Sequence, residues 1–149
     1  MKILLVASSG GHLAQLMTLR PWWEKHTRRW ITFDTIDARS VLSDEDVAVG
    51  FAPTTRNIPN LARNAVMARR ELSSFRPDLV ISTGAGIAVP YFWLAHRYGA
   101  RTVYLEVIDR IDSPTMTGRL VYPVTDEFLA QWPEQQGHYP GARLVGPVI

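Results

Sequence analysis

Residues 2–16 read KILLVASSGGHLAQL, and this stretch decides the fold. The apolar run over 2–7 predicts a strand, the glycines after it predict a tight turn, and a helix is expected over 11–20. Glycine lets the backbone come close to an anion, and the first N–H groups of a helix have no partner within it. The turn Ser9-Gly10-Gly11 is therefore a candidate anion site, with His12 at its mouth.

A second stretch repeats this order of strand, turn and helix. Residues 79–87 read LVISTGAGI, so that Thr83, Gly84 and Gly86 occupy the turn. Because the carboxyl ends of parallel strands meet at one edge of a sheet, we expect the two turns to line one ligand crevice. The alternative is that these glycines serve only to let a helix pack closely on a strand.

The rest of the chain alternates apolar strands with helical segments. Further strands are predicted at 29–33, 47–51, 79–82, 101–106, 126–130 and 143–145, and further helices at 37–43, 57–75, 87–98 and 115–121. This alternation is typical of an α/β fold, and we expect one domain over 1–149 with a Rossmann-like parallel sheet and helices on both faces. In the helix over 57–75, helical spacing predicts a buried stripe made of Ile58, Leu61, Ala62, Ala65, Val66, Leu72 and Phe75.

The composition excludes several classes of protein. The 149 residues contain no cysteine, which excludes a disulfide scaffold and thiolate metal sites. The longest uncharged stretch, 79–95, is interrupted by Gly84, Gly86 and Pro90, so we expect no transmembrane helix. The first apolar run is short and leads directly into the glycine turn, which predicts no signal peptide.

Tryptophans and basic residues are concentrated between residues 16 and 30. Indole rings suit the level of lipid headgroups, and Lys and Arg are attracted to anionic lipid. We therefore predict peripheral membrane contact through Trp22, Trp23, Arg28 and Arg29. The alternative is that some of these rings close the core beneath the first helix. Nucleic-acid binding is disfavoured, since no RNA- or DNA-binding signature accompanies the charges.

Two side chains are candidates for proton transfer at the expected crevice. His12 follows the first turn, and imidazole is the usual general base of enzymes at neutral pH. Glu106 ends a predicted strand, where it could orient a sugar hydroxyl or act as a base. Asp109 and Asp112 lie three residues apart but flank Arg110, which favours a surface charge pair, and we predict no metal site.

Three motifs resemble those of the Alg14-like polysaccharide biosynthesis proteins, a family with bacterial subunits of the PssD and CpsF type. They are SSGGHLAQL near the start, PDLVISTGAGIAVP in the middle and YPVTDEFLAQWPE near the end. The chain is also similar to the N-terminal, acceptor-binding half of the lipid II-forming transferase MurG. The resemblance covers nearly the whole chain, and it implies one half of a GT-B glycosyltransferase.

The resemblance also implies roles for individual residues. His12 would lie in the acceptor cleft as the first candidate for the catalytic base, with Glu106 as the second. Asp126 and the segment Gln131-Trp132-Pro133 match a family signature whose role is packing or partner docking. The residues implied to bind the acceptor or its diphosphate are Ser9, Gly10, Gly11, Thr83, Gly84 and Gly86.

A reaction and a partner follow from the same resemblance. The chain would be the acceptor-binding, membrane-associating subunit of an enzyme that transfers a sugar from a UDP-sugar to a polyprenyl-diphosphate-linked saccharide, in exopolysaccharide or capsule synthesis. An Alg13- or PssE-like partner would supply the half that binds the UDP-sugar. In agreement with this expectation, the last predicted strand leads into Gly146-Pro147, where a second domain would begin. No cofactor is expected, and the location would be cytoplasmic, peripheral on the inner face of the cell membrane.

Two alternatives remain open from the sequence. The chain could be a non-catalytic membrane scaffold that recruits the catalytic partner. It could also be a free-standing nucleotide-binding Rossmann protein, although the dinucleotide signature GxGxxG is absent from the first turn.

Overall fold

The computed structural model describes all 149 residues and contains one sheet of seven parallel strands. Their order across the sheet is β3-β2-β1-β4-β5-β6-β7, so the order in which strands are added reverses between β1 and β4. The strands are β1 (Lys2–Val6), β2 (Thr27–Thr32), β3 (Val47–Val49), β4 (Leu79–Ser82), β5 (Arg101–Leu105), β6 (Glu127–Ala130) and β7 (Arg143–Leu144). The predicted Rossmann-like α/β fold is confirmed.

Helices cover both faces of the sheet, as predicted. They are α1 (Gly11–Thr18), α2 (Arg20–Trp23), α3 (Ile36–Val41), α4 (Ile58–Phe75), α5 (Ala88–Ala95) and α6 (Met116–Val121), with 3₁₀ turns at His96–Tyr98, Tyr122–Val124 and Pro133–Gly137. Alternate residues of β1 enter different cores: Leu4 and Val6 join the side chains of α4, α5 and α6, whereas Ile3 and Leu5 join those of α1, α2 and α3. A strand that is buried on both faces accounts for its unbroken apolar sequence.

The first helix is shorter than the sequence predicts. The expected helix over 11–20 ends at Thr18, and the separate helix α2 begins at Arg20. Pro21 lies in the first turn of α2, where its missing N–H is not needed. A continuous helix would require that N–H to donate to the carbonyl of Met17, and this explains the break.

The predicted buried stripe of α4 is wrong over the first half of the helix. Ile58 is 78% exposed and Val66 is 72% exposed. The side chains that face the core are instead Asn60, Asn64, Met67, Ala68, Glu71, Leu72 and Phe75. Polar residues face inward because they hold neighbouring segments: Asn64 exchanges two hydrogen bonds with the backbone of Phe51, both 2.9 Å long.

The predicted membrane contact through Trp23 is also wrong. This side chain is 1% exposed, donates its Nε1–H to the carbonyl of Leu16 and packs edge-on against the buried ring of Trp30. Trp22 stays partly exposed. The alternative, in which the rings close the core beneath the first helix, is the one observed.

Arg28 and Arg29 are held by carboxylates rather than left free at the surface. Arg28 forms a two-pronged pair with Glu45, at 2.7 and 2.8 Å, and Arg29 pairs with Asp46 and Glu71. These ion pairs raise the pKa of both guanidinium groups. No helix of the structure combines the length and the apolar character needed to cross a bilayer.

Candidate functional site

The two glycine turns lie side by side at the carboxyl edge of the sheet. The first turn (residues 8–11) follows β1, the second turn (residues 83–87) follows β4, and Val6 is paired with Ser82 where these strands end. The sequence prediction that the turns share one edge is confirmed. In parallel sheets, ligands bind at this edge and at the point where strand order reverses, which here lies between β1 and β4.

His12 and Thr83 connect the two turns by two hydrogen bonds. The Nδ1 atom of His12 lies 2.9 Å from the backbone oxygen of Thr83, and the Thr83 hydroxyl donates to the backbone oxygen of His12 at 2.7 Å. A carbonyl can only accept, so Nδ1 carries the proton. In the neutral ring the lone pair is therefore on Nε2, which is the atom that can accept a proton. The ring is half-buried.

Gly84 provides the space for the imidazole. Its φ angle is +132°, a conformation almost confined to glycine. A Cβ atom at this position would lie 2.6 Å from Cε1 and 2.8 Å from Nδ1 of His12. Any larger residue would push the ring away, so glycine is needed here both for the backbone conformation and for the contact with His12.

The second turn offers backbone donors to an anion. The N–H of Gly84 donates to the Ser82 hydroxyl, but the N–H groups of Ala85, Gly86 and Ile87 make no hydrogen bond within the chain. Ala85 has a left-handed φ of 69°. Three successive free amides at the start of α5 form an arrangement suited to phosphate oxygens.

The first turn is already in contact with a carboxylate. The N–H of Gly10 donates to the Asp37 side chain at 2.8 Å, and Asp37 stands in the first turn of α3. Hydrogen bonds from the Thr35 side chain and from Gly10 lower the pKa of Asp37. The residue did not emerge from the sequence analysis, because only the adjacency of β1 and β2 brings α3 to the first turn. The Ser9 and Gly11 positions remain partly or fully open to solvent.

Glu106 is placed beneath the site rather than in it. The residue is 0% exposed, and its carboxylate accepts from the hydroxyl of Tyr139 at 2.6 Å and from the hydroxyl and N–H of Thr115 at 3.0 and 3.3 Å. The prediction that Glu106 acts as a base on the acceptor is therefore wrong, because the carboxylate cannot reach a ligand at the surface. Burial and the bond to Glu106 raise the pKa of Tyr139.

A polar bridge ties α1 to the segments behind the site. The Gln15 side-chain oxygen accepts from Gln131 at 2.6 Å and from the N–H of Ile108 at 3.3 Å. Gln131 also donates to the backbone oxygen of Glu106. Within this chain Gln131 therefore has a packing role, and the bridge fixes the start of the loop that follows β5.

Asp126 also has a packing role in this structure. Its carboxylate accepts from the N–H of Thr102 at 2.8 Å and pairs with His96 at 2.9 Å, and the net effect of these contacts is a lowered pKa of Asp126 despite partial burial. The structure holds no cluster of three or more His, Asp or Glu side chains that could bind a metal ion.

Comparison with known proteins identifies the family of this chain. The family described as "Oligosaccharide biosynthesis protein Alg14 like" matches residues 51–148. The UDP-N-acetylglucosamine transferase subunit ALG14 of Eremothecium gossypii is 33% identical over 119 residues, which are 73% of this chain and 53% of that protein. Its counterpart in Mus musculus is 24% identical over an alignment of 181 positions, which covers 100% of this chain and 83% of the mouse protein. The match to the first of these relatives thus spans about half of its length.

Solved structures show the same fold. Acinetobacter baumannii MurG superimposes with a TM-score of 0.74 at 15% identity, over 89% of this chain and 42% of that one. The UDP-GlcNAc 2-epimerase of Methanocaldococcus jannaschii gives a TM-score of 0.75 at 10% identity, over 98% of this chain and 45% of that one. This likeness concerns the fold, that of one half of a GT-B glycosyltransferase. Because the family match covers well over half of its residues, the chain belongs to the Alg14-like family of oligosaccharide biosynthesis proteins.

Proposed function

We propose that this chain is the acceptor-binding, membrane-associating subunit of a two-component glycosyltransferase. The enzyme would transfer a sugar from a UDP-sugar to a polyprenyl-diphosphate-linked saccharide. The observation that carries the proposal is the pairing of His12 with Thr83, which puts the lone pair of the neutral ring on Nε2, while the adjoining second turn has three free amides. The relatives named as UDP-N-acetylglucosamine transferase subunits support this class of reaction and suggest N-acetylglucosamine as the first sugar to test.

In the proposed reaction His12 is the general base. A hydroxyl oxygen of the acceptor sugar attacks the anomeric carbon of the donor, the bond from that carbon to the UDP phosphate breaks, and UDP leaves as an anion. The hydroxyl proton passes to Nε2 of His12. The carbonyl of Thr83 continues to accept from Nδ1–H in the resulting imidazolium, which stabilises the positive charge.

The second turn would bind the acceptor diphosphate. The free N–H groups of Ala85, Gly86 and Ile87 are donors for its phosphate oxygens. The first turn is less suited to phosphate, since the Asp37 carboxylate already accepts from Gly10 and would repel a second anion. We therefore assign the diphosphate to the second turn and the sugar hydroxyls to the first turn.

The donor site would belong to an Alg13- or PssE-like partner subunit. The relatives named as transferase subunits support a partner of this kind. UDP would leave from the partner side of the cleft, and no metal or other cofactor is invoked. We place the complex on the cytoplasmic face of the cell membrane, in exopolysaccharide or capsule synthesis.

The test is a reconstitution with labelled UDP-sugars, beginning with UDP-N-acetylglucosamine, and a polyprenyl-diphosphate saccharide. This chain alone, the candidate partner alone and the two together are assayed for transfer. Activity only in the mixture supports a split enzyme. Full activity of the partner alone, or an active mixture that tolerates replacement of His12, overturns the catalytic role and favours a non-catalytic scaffold.

A further inference from the structure

Positive charge in the loops at the carboxyl edge of the sheet is confined to two residues. Among the loops that follow the strands at this edge, Lys or Arg occurs only at Arg56, between β3 and α4, and at Arg110, between β5 and α6. Both side chains are exposed, and neither guanidinium group forms an ion pair or a hydrogen bond within the chain. A free guanidinium group at the ligand-binding edge is well suited to phosphate oxygens.

The loop that carries Arg56 (residues 50–57) packs directly against the second glycine turn. A Cβ atom added to Gly50 would collide with the side chain of Ile87, and one added to Gly86 would lie 3.1 Å from the Cβ and Oγ1 atoms of Thr54. Gly86 and Ile87 carry two of the three free amides of the second turn. Arg56 comes two residues after Thr54, and it therefore belongs to the loop that borders these amides.

The loop of Arg110 is anchored elsewhere. The N–H of Ile108 donates to the side chain of Gln15 on α1, and the side chain of Gln135 donates to the backbone oxygen of Arg110. Of the two free cations, Arg56 is thus the one whose loop contacts the second turn.

The backbone of the loop 50–57 is held in place by asparagines of α4. Asn64 exchanges two hydrogen bonds with the backbone of Phe51, and Asn60 donates to the backbone oxygen of Pro53 at 2.9 Å. Asn57 ends the loop as the N-cap of α4, because its side chain accepts from the N–H of Asn60. Arg56 therefore stands on a backbone that is fixed before any ligand binds, which lowers the entropic cost of using it.

Arg56 itself has an unfavourable backbone conformation. Its φ angle is +50°, in the left-handed region that Gly and Asn enter far more readily than Arg. No contact of its side chain within the chain compensates for this, and residues held in such conformations are concentrated at functional sites. The hydroxyl of Thr54, half-buried beside Gly86, also forms no hydrogen bond within the chain. Two unpartnered donors thus lie on the loop that touches the second turn.

We propose that Arg56, together with the Thr54 hydroxyl, binds a diphosphate group at the second glycine turn. Backbone amides carry only partial positive charge, whereas a diphosphate carries at least two negative charges, and the guanidinium group supplies a full charge and two parallel donors. The inference rests on the proposed function, because it takes a diphosphate to lie at the second turn. It adds the residue that recognises the charge of that group.

The test measures the binding of inorganic pyrophosphate by calorimetry. Arg56→Asn removes the charge and suits the left-handed backbone, so we expect affinity to fall at least about tenfold without loss of stability in urea unfolding. Arg56→Lys keeps the charge and should lose less affinity than Arg56→Asn. Thr54→Val keeps the shape that packs on Gly86 and should weaken binding by about three- to tenfold.

The matched control is Arg97→Asn, which removes an exposed arginine without an ion pair from the opposite edge of the sheet, before β5. It should leave pyrophosphate affinity unchanged. An equal loss in Arg97→Asn or in Arg110→Asn would show long-range attraction rather than contact, and would overturn the assignment of Arg56.

The outcomes separate Arg56 from the second turn itself. If the unmodified chain and Arg56→Asn bind pyrophosphate equally, the role of Arg56 is overturned while the second turn is still supported. Absence of binding by the unmodified chain overturns both the inference and the diphosphate site of the proposed function.

Kinetics of the complex with its partner identify the source of the diphosphate. A higher KM for the polyprenyl-diphosphate saccharide in Arg56→Asn supports binding of the acceptor diphosphate. Weaker product inhibition by UDP, with an unchanged KM for the acceptor, supports binding of the leaving group and overturns the placement of the acceptor at the second turn. If neither constant changes, Arg56 has no role in the reaction and the inference is rejected.

Discussion

His12 and Thr83 are joined by two reciprocal hydrogen bonds across 71 positions of sequence: Nδ1 of the His12 ring donates to the backbone carbonyl of Thr83 at 2.9 Å, and the Thr83 hydroxyl donates to the backbone carbonyl of His12 at 2.7 Å. One bond selects the tautomer of the ring, and the other joins the start of α1 to the end of β4. A base is useful only when its lone pair is held in position. This pair therefore makes the two turns a single site.

Replacement of His12 should separate chemistry from binding. In His12→Gln we expect kcat to fall by about 10²- to 10⁴-fold, the range of general base catalysis, with little change in KM for the acceptor. Steady-state kinetics of the complex with its partner measure both constants. His96→Asn, which alters an exposed histidine paired with Asp126, is the control and should retain activity. A higher KM with unchanged kcat in His12→Gln would assign the ring to binding.

Gly84→Ala should impair activity more than stability. The added methyl group collides with the His12 ring and occupies a backbone conformation that costs about 1–3 kcal/mol. Gly99→Ala is the matched control, because Gly99 also has a positive φ, +77°, but has open space around it. We expect both variants to lose stability in urea unfolding and only Gly84→Ala to lose at least about tenfold in kcat. Equal kcat in the two variants would show that the ring position is unimportant.

Asp37→Asn should strengthen pyrophosphate binding. The amide keeps an oxygen that can accept from Gly10 but removes a negative charge at the first turn, on the same edge of the sheet as the free amides of the second turn. We expect a gain of about two- to fivefold at low salt, which disappears near 1 M salt, where the screening length is about 3 Å. Asp34→Asn changes a carboxylate that pairs with Arg39 and is the control. A similar gain in both variants would reflect net charge alone.

Tyr139→Phe should test the buried carboxylate as a positioning group. Removal of the hydroxyl takes away the 2.6 Å bond to Glu106, and hydrogen bonds to charged groups contribute about 1.5–3 kcal/mol. We expect urea unfolding to show a loss of this size, while kcat per folded molecule changes less than about threefold. A large loss of kcat with unchanged stability would contradict this and show that Glu106 takes part in the reaction.

The ion pair of Arg28 and Glu45 should make the free energy of unfolding depend on pH in the acid range. Hydrogen bonds from Arg28 lower the pKa of Glu45 in the folded state. A carboxyl whose pKa falls on folding stabilises the protein above its unfolded pKa of about 4.3, and this contribution is lost as the pH falls through the folded pKa. Arg28→Gln should therefore lose about 1 kcal/mol near pH 7 and show a shallower decline in acid. Parallel curves for the variant and the unmodified chain, measured by urea unfolding at several pH values, would contradict this.

The strands and turns could be predicted because their signals are local. The glycines at the end of β1 and β4, and Pro77 at the end of α4, act on the backbone within a few residues. The predicted bounds of β4 agree with the structure, and those of α4 differ by one residue. The sequence prediction was wrong about which face of α4 is buried. The spacing of aliphatic residues alone favoured the face that carries Ile58 and Val66, which are exposed.

The amino-acid sequence by itself determined the α/β class, the parallel sheet and the presence of His12 beside a glycine turn, because apolar runs and glycines act through neighbouring residues. Only the tertiary structure decided which groups meet. It brought Asp37 to Gly10 through the pairing of β2 with β1, and it buried Glu106 beneath Tyr139. It also turned Asn64 toward Phe51, which left a groove on the outer side of α4. These contacts join residues distant in sequence, and their free energies depend on satisfying buried polar groups across the whole fold.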